Sequence, residues 1–328
     1  MKRALPGIAL VCGLLVLGGC ATNPQNHDIA AEYYDVGNAY MDLGQFDKAV
    51  AAYQNALRMD PSFAKADLNL AQVYARLKRT DDAVAILKPL LAKDPQNTLL
   101  LSTLGWAYHL GDRDEDALAQ YDAILAVSPA DQNALYNDGI ILWKLDRKSE
   151  ALDRIRKLLT YAPDDTDALY AAGSLLLAMD DPAGSADMLA RCLEKKDDDP
   201  EAWYLVAAGA ERLKKYSRAL DAYDKIIAID ATQADAWFGE TRLLLTVIED
   251  PQRGLDALSK ALAAGFKDAA AVKTLLDSTN LLERDKVEAA LKDHDLLPEA
   301  AAPEANPAGA SPASAAPQGA SPPEAIQH

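Results

Sequence analysis

The sequence has few side chains whose type and spacing could carry out chemistry, and the most reactive of them is a thiol. Cys192 is the sole cysteine after residue 20, so the chain beyond that point cannot close a disulfide. It could act as a nucleophile, but a lone cysteine is more often a small buried apolar side chain. We therefore predict that Cys192 packs in the core. The carboxylates of "KKDDDPE", residues 195–201, fit a solvated turn between helices better than an acid–base pair.

Histidines and short motifs add no catalytic or metal site. None of the histidines has a second histidine or a cysteine at ligand spacing; they are His27, His109, His294 and His328. No phosphate-binding loop, dinucleotide fingerprint, nucleophile elbow or HExxH sequence occurs. The sequence thus predicts a protein that is not an enzyme and that binds neither a metal nor a cofactor.

Composition narrows the set of partners. The chain has 328 residues and 50% of them are hydrophobic, which is enough for one large core or two ordinary ones. Its formal net charge of −17 repels phosphate backbones, so nucleic acid is not expected as a partner. The same charge repels anionic lipid, so attachment to a membrane needs something other than a basic face.

The N-terminus supplies such an attachment. "MKRALPGIALVCGLLVLGGC" begins with basic residues, continues with an apolar run too short to span a bilayer, and ends in small residues before Cys20. This layout resembles a bacterial lipoprotein signal, which implies a signal peptide over residues 1–19 and acyl chains on Cys20. Ala21 lacks the acidic residue associated with inner-membrane retention, which favours an outer-membrane lipoprotein facing the periplasm. A plain secretory signal with an incidental cysteine is the alternative.

A 34-residue repeat dominates the rest of the chain. The stretches "NALYNDGI", "DALYAAGS", "EAWYLVAA" and "DAWFGETR" follow one another at this interval from residue 133. An earlier segment, "AEYYDVGNAYMDLGQFDKAVAAYQNALRMDP", has glycine, tyrosine, alanine and proline at the matching places. The pattern resembles the tetratricopeptide repeat (TPR), in which small residues let two antiparallel helices approach and large ones fill the space between them. The resemblance implies an all-α, right-handed superhelical solenoid in which each helix pair is stabilised by its neighbours.

The register of this repeat divides the chain. Seven TPR units, numbered here as repeats 1–7, are predicted over residues 30–267 and begin at Ala30, Ala64, Thr98, Gln132, Thr166, Pro200 and Ala234. Repeat 7 runs one residue late beside "EDPQ", and two more helices over residues 268–297 are expected to cap it. Residues 20–29 are predicted to be the lipidated cysteine and a short tether. The Ala- and Pro-rich tail, residues 298–328, has no apolar face and is predicted to be disordered.

The predicted binding surface follows from two adjacent large residues in the first helix of each repeat. Successive helix residues point about 100° apart, so the two cannot face the same core. The TPR resemblance assigns positions 5, 9 and 12 of this helix to a concave groove, which is most apolar in repeats 3–5. A contiguous aromatic concavity is typical of a contact site, although position 5 also fits packing between repeats. The predicted groove residues are Tyr34, Asn38, Asn69, Trp106, His109, Tyr136, Ile140, Trp143, Tyr170, Leu177, Tyr204 and Phe238.

Asn38 and Asn69 also allow a comparison with one known type of groove. Chaperone-tail-binding TPR domains hold a C-terminal carboxylate with two asparagines and three cations at fixed positions. Both asparagines are present here, but Tyr34, Leu99 and Thr103 stand where the cations would be. A carboxylate clamp is therefore not expected, whereas hydrogen bonds from these asparagines to a peptide backbone are.

The resemblances together predict a lipid-anchored adaptor of the bacterial outer membrane that binds segments of partner proteins. Envelope assembly, pilus biogenesis and proteolysis are the processes in which similar lipoproteins take part. Two alternatives belong to other classes. Tyrosines and tryptophans also stack on sugars, which would make the protein a peptidoglycan-binding module, and outer faces of the repeats could instead support a self-assembling scaffold.

Overall fold

A computed structural model describes residues 24–297 of the chain, so the predicted signal peptide, Cys20 and the tail from residue 298 lie outside the described residues. Within this range the protein is all-helical, with sixteen α-helices in successive pairs and one π-helical turn. The chain forms two compact units, an N-terminal unit that ends at Lys93 and a C-terminal unit that begins at Asp94. No helix among the described residues combines the length and the apolar character that crossing a bilayer requires.

The N-terminal unit contains repeats 1 and 2. Each of its helices packs against the next one in the chain. The first helix begins at Pro24, within the segment predicted to be a tether, and residues 25–29 continue it. His27 Nδ1 lies 2.7 Å from Asp60 Oδ2, and this contact ties the additional turn to the end of the second helix. The four helices are α1 (Pro24–Asp42), α2 (Phe46–Met59), α3 (Ala64–Arg76) and α4 (Thr80–Lys93).

The C-terminal unit contains the remaining repeats and the capping helices. Helices of one repeat pack against each other, and the second helix of a repeat also packs against the first helix of the next. The helices are α5 (Thr98–Leu110), α6 (Asp114–Val127), α7 (Gln132–Lys144), α8 (Lys148–Tyr161), α9 (Thr166–Ala178), α10 (Pro182–Lys195), α11 (Pro200–Arg212), α12 (Tyr216–Ile229), α13 (Ala234–Leu243), a π-helical turn (Leu244–Ile248), α14 (Pro251–Ala263), α15 (Ala269–Asp277) and α16 (Arg284–Lys292).

Side-chain caps explain where the first helices of repeats 3–6 begin. At the residue before each helix, an Asn or Asp side chain accepts a hydrogen bond from the backbone N–H three residues on. Such a cap stabilises a helix by about 0.5–2 kcal/mol, because it satisfies an N–H that has no partner within the helix. Repeat 7 lacks this bond, since Gln233 precedes α13 and makes no cap. The four capping residues are Asn97, Asp131, Asp165 and Asp199.

Turns between the two helices of a repeat share one backbone conformation. The residue at position 15 has a positive φ in repeats 1–6, and only the first of these residues is a glycine, Gly44. In repeat 7 the positive φ comes one residue later, at Glu249, because the π-helical turn before it adds a residue. This insertion is the physical cause of the one-residue shift visible in the sequence. The non-glycine members are Lys78, Asp112, Asp146, Asp180 and Lys214.

Small residues at position 8 allow the two helices of a repeat to approach closely. A Cβ added to Gly173 would lie 2.7 Å from Leu189 Cγ, which is closer than two carbons can pack. At the end of the array, Phe238 stacks on Phe266 with ring centroids 3.9 Å apart. Val272 and Val287 of the last two helices join the same core, so these helices cap repeat 7. The cap is also bonded to the π-helical turn, since Leu282 N donates to Leu245 O at 3.0 Å.

Two buried carboxylates in the C-terminal unit are held by arginines. Asp138 is buried on α7 and accepts a hydrogen bond from Arg154 Nε on α8, while Arg154 also contacts Asp122 Oδ1 on α6 at 3.1 Å. The same arrangement recurs three repeats later, where the Arg253 guanidinium contacts buried Glu240 and exposed Asp224. Each of these ion triads links three consecutive helices.

Candidate functional site

A hydrogen-bonded group of polar side chains lies in the N-terminal unit, and we call it the asparagine cluster. It consists of Tyr34 and Asn38 on α1, Tyr53 on α2 and Asn69 on α3. Tyr53 OH donates to Asn38 Oδ1 at 2.7 Å, and Asn69 Nδ2 donates to the same oxygen at 2.9 Å. Asn69 Nδ2 also lies 3.2 Å from Tyr34 OH. These bonds fix the orientation of both amide groups before any partner arrives.

The asparagine cluster leaves one donor and one acceptor unused. Asn38 Nδ2 and Asn69 Oδ1 have no hydrogen-bond partner among the described residues, and both asparagines are partly exposed. Burial raises the pKa of Tyr53, so its hydroxyl stays protonated and keeps donating to Asn38. A free amide N–H₂ beside a free amide carbonyl matches the C=O and N–H of a peptide backbone.

The predicted groove residues of the C-terminal unit are more buried than an open groove would leave them. Trp106, Tyr136, Ile140, Trp143 and Leu177 are between 2% and 6% exposed. The cause is clear on α7, which is buried without interruption from residue 134 to residue 143 because it packs against α6, α8 and α9. These residues therefore do not form an exposed stripe, and their contact with a partner remains a prediction.

The last two predicted groove aromatics are also packed. Phe238 is 3% exposed and belongs to the core beneath the capping helices. The ring of Tyr204 is partly buried and meets the ring of Tyr223 edge-on, with centroids 6.4 Å apart. Both residues are thus part of the packing, and their contact with a partner stays a prediction.

His109 contacts the carboxylate of an ion pair, and its contact with a partner stays a prediction. Its Nδ1 lies 2.6 Å from Asp114 Oδ1 at the start of the next helix. Lys144 Nζ contacts the other oxygen of Asp114 at 2.9 Å. In the part of the chain that the structure describes, no group of three or more potential ligands is arranged to hold a metal ion.

Tyrosines at position 5 of repeats 4, 5 and 6 have a common environment. Burial raises the pKa of each, and the next largest cause is a carboxylate at or directly before the start of the following repeat: Asp167 for Tyr136, Asp199 for Tyr170 and Asp235 for Tyr204. In Tyr204 these effects raise the pKa to about 12. A carboxylate lies 31 residues after each tyrosine and raises its pKa, so the spacing recurs with the repeat. The pairs are Tyr136 with Asp167, Tyr170 with Glu201, and Tyr204 with Asp235.

Two of these pairs line a cavity of 280 Å³, which we call the tyrosine pocket. Tyr136 OH has no hydrogen-bond partner among the described residues, although the residue is only 6% exposed. The "KKDDDPE" segment, interpreted above as a solvated turn, supplies much of the lining and caps α11 through Asp199. The lining residues are Tyr136, Thr166, Asp167, Tyr170, Cys192, Lys196, Asp199 and Glu201.

Cys192 lies at the inner wall of the tyrosine pocket. The residue is 1% exposed, and its Sγ lies 3.5 Å from the Thr166 carbonyl oxygen, to which it donates. Burial raises the pKa of the thiol, with a further contribution from Asp199. A thiol held in its protonated form is a poor nucleophile. The structure therefore places Cys192 as a packing residue, as predicted.

Family profiles match this repeated architecture. One profile described as tetratricopeptide repeat matches residues 34–98 and 107–168, and a second with the same description matches residues 142–209. Together they cover slightly more than half of the chain. The chain belongs to the tetratricopeptide repeat family. TPR proteins are generally non-enzymatic modules that bind peptides or proteins. No curated protein matches the sequence.

Solved TPR structures share the fold at low identity. A TPR protein from Parabacteroides merdae is 17% identical with a TM-score of 0.53, and the match covers 80% of this chain and 99% of that one. PilW, described as a widely conserved type IV pilus biogenesis factor, is 20% identical with a TM-score of 0.53 over 61% of this chain and 93% of its own. YrrB, described as a TPR protein with an unusual peptide-binding site, is 20% identical with a TM-score of 0.51 over 57% of this chain and 96% of its own. Identities this low show the TPR fold alone.

Proposed function

We propose that this TPR protein is a lipid-anchored adaptor of the bacterial outer membrane that holds extended segments of partner proteins at the asparagine cluster. The lipoprotein signal that ends at Cys20 supports the anchor. TPR architecture supports the adaptor class. Resemblance to other TPR lipoproteins suggests that the process is envelope assembly, pilus biogenesis or proteolysis, and the sequence does not select among the three.

The observation that carries the proposal is the unused donor and acceptor of Asn38 and Asn69. An extended segment presents a backbone C=O and N–H that these two atoms can bond, whatever the side chains of the segment are. Each bond contributes about 0.5–1.5 kcal/mol, and the loss of entropy is small because internal bonds already hold both amides in place. The cluster therefore suits a binder that tolerates many sequences. A peptide-binding site in the TPR protein YrrB is consistent with this use of the fold.

Substitution of the unused donor tests the proposal most directly. Asn38→Asp keeps the oxygen that Tyr53 and Asn69 bond, but it replaces the donor with a second acceptor that repels a backbone carbonyl. Binding to an array of peptides from envelope proteins should weaken about fivefold or more, which corresponds to one lost hydrogen bond. Asn133→Asp makes the same chemical change on exposed α7 surface and is the matched control.

Melting temperature separates binding from folding in this test. Reduced binding by Asn38→Asp at an unchanged melting temperature supports the asparagine cluster as the site. If Asn38→Asp and Asn133→Asp bind the peptides equally well, the peptides bind elsewhere. If neither variant binds them and the unchanged protein does not either, the protein is not a peptide binder. If muropeptides bind in place of peptides, the glycan alternative is correct. A concentration-dependent oligomer that Asn38→Asp leaves unchanged, with no peptide binding, would favour the scaffold.

The anchor is tested separately by Cys20→Ala. Without an acylated cysteine the protein has no means of membrane attachment in this proposal, so the variant should accumulate as an unprocessed precursor or as a soluble periplasmic species. Fractionation of cell envelopes distinguishes these outcomes. Normal cleavage with continued recovery in the outer membrane would show that the signal is not a lipoprotein signal.

A further inference from the structure

We propose that the tyrosine pocket binds the guanidinium group of an arginine in a partner segment. The proposal rests on the adaptor function in one respect, since it assumes that the natural ligand is a protein segment. The pocket itself lies wholly in the C-terminal unit and can be tested with a small arginine derivative. A negative result for arginine binding at the tyrosine pocket can therefore be told apart from a negative result for peptide binding at the asparagine cluster.

Charge in the pocket favours a cation. Asp167, Asp199 and Glu201 contribute three carboxylates, whereas Lys196 contributes one ammonium group. That ammonium is already used, because Lys196 Nζ lies 3.2 Å from Asp199 Oδ2. Neither Asp167 nor Glu201 forms an ion pair with a described residue, and Glu201 interacts directly with the carboxyl group of Asp199. This interaction is a hydrogen bond between the two carboxyl groups and requires a shared proton, and a bound cation stabilises the pair with both groups ionised.

The phenol of Tyr136 adds a neutral acceptor to the same pocket. Tyr136 is 6% exposed, lines the pocket and has no hydrogen-bond partner among the described residues. Burial, reinforced by the carboxylates of Asp167 and Asp165, raises the pKa of this phenol and keeps it neutral. A guanidinium N–H can donate to the neutral phenol oxygen while its other N–H groups donate to the carboxylates.

The size and walls of the pocket fit one side chain. Its volume of 280 Å³ is just below the range of about 300–1,000 Å³ that is typical of sites for small-molecule ligands. Tyr136 and Tyr170 place two aromatic rings in the wall, and a cation is attracted to the face of such a ring. Guanidinium carries five N–H donors in a planar fork, so it can reach several acceptors that surround it. An ammonium group has three donors and a tighter hydration shell, and is expected to bind more weakly.

The test measures binding of Nα-acetyl-arginine methylamide to the detergent-solubilised full-length protein. Fluorine NMR of protein labelled with 3-fluorotyrosine reports on the pocket, and Tyr136→Phe and Tyr170→Phe assign the two signals. We expect these signals to shift with a dissociation constant on the order of 1 mM, as suits one side chain. The corresponding citrulline derivative has the same shape without the charge and should bind at least about tenfold more weakly.

Matched variants locate the site. Asp167→Asn and Glu201→Gln should each weaken arginine binding by about fivefold to tenfold at an unchanged melting temperature. Asp235→Asn changes the same position of the next repeat, outside the pocket, and should leave binding unchanged. Equal shifts from arginine and citrulline, no shift at all, or equal effects of the three variants would each overturn the proposal. Peptide capture through the asparagine cluster could still persist in any of those cases.

Discussion

Removal of the Arg154 side chain should leave a buried negative charge without its partner. Asp138 is 1% exposed, and Arg154 Nε is its ion-pair partner. Arg154→Ala removes the guanidinium but leaves the carboxylate on α7, where it is surrounded by α6 and α8. Arg156→Ala removes an arginine from an exposed position of α8, the helix that also carries Arg154. It is the matched control, because it loses the same charge and the same helix-forming side chain.

The size of the effect follows from the burial of the two partners. Breaking a fully buried ion pair costs about 3–5 kcal/mol, because the remaining charge has lost both water and its partner. Arg154 is 37% exposed and its second contact, Asp122, is 61% exposed, so solvent already screens part of the interaction. We therefore expect the free energy of unfolding to fall by about 2–3 kcal/mol at pH 7.5. In a domain of this size that corresponds to a melting temperature lower by roughly 5–8 °C.

The pH dependence identifies the buried carboxylate as the cause. Burial raises the pKa of Asp138 above that of the unfolded chain, and Arg154 opposes this effect. In Arg154→Ala the opposing effect is lost, so the folded-state pKa rises further. The folded protein then favours the protonated acid, and the penalty present at pH 7.5 shrinks as the pH falls through the folded-state pKa. Melting curves at pH 7.5 and 5.0 should show a smaller loss at the lower pH.

A second substitution provides the decisive control. Asp138→Asn in the Arg154→Ala background removes the buried charge and should recover part of the lost stability at pH 7.5, but not at pH 5.0. If Arg154→Ala melts like Arg156→Ala at pH 7.5, Asp138 is not destabilised by loss of its partner. If the loss is the same at both pH values, it comes from packing and not from charge. Either result would refute the reasoning.

Three further predictions concern the backbone and the thiol. In a melting assay, Gly173→Ala should lower stability by about 1–3 kcal/mol through overpacking. Gly209→Ala should raise stability by up to about 1 kcal/mol in the same assay, because its added Cβ has no neighbour closer than 3.7 Å. Lys214→Gly should raise stability by about 0.5–1 kcal/mol in urea unfolding, because a φ of 55° is strained for any residue with a Cβ. No gain in stability would mean that the backbone relaxes this strain. Cys192 should react slowly with a thiol reagent in the native protein and rapidly in denaturant, and rapid native labelling would show that the pocket wall opens.

Much of the fold could be predicted because its determinants are local and recur. Capping residues such as Asp131 and Asp165 stand at the same place in successive repeats, and each fixes the start of a helix. Gly173 shows why a small residue recurs at position 8. The start of α1 could not be predicted in this way, because the helix extends to Pro24 through a contact between His27 and Asp60 that no repeat position specifies.

The candidate sites could be predicted less well, because a sequence pattern gives the direction of a side chain but not what covers it. Trp143 and Tyr136 lie on the first helix as expected, yet neighbouring helices bury both. Asn38 and Asn69 were found through the TPR resemblance, whereas Tyr53, which orients Asn38, was not. The sequence does not single out Glu201, because a charged turn is usually solvated. Its spacing of 31 residues from Tyr170 is the signal that would have found it.

The π-helical turn in repeat 7 has a consequence for how the array can change in length. Between repeats 3 and 6 the capping residues and the left-handed turns recur every 34 residues, so duplication of a whole repeat there would meet the same surroundings at both junctions. The turn at Leu244–Ile248 interrupts this equivalence, and its Leu245 carbonyl is bonded to Leu282 of the capping segment. Deletion of one residue from the turn would restore an ordinary helix and withdraw that carbonyl from the cap. The inserted residue, together with the missing cap at Gln233, sets repeat 7 apart, so whole repeats can be gained or lost between repeats 3 and 6 without disturbing the junction with the cap.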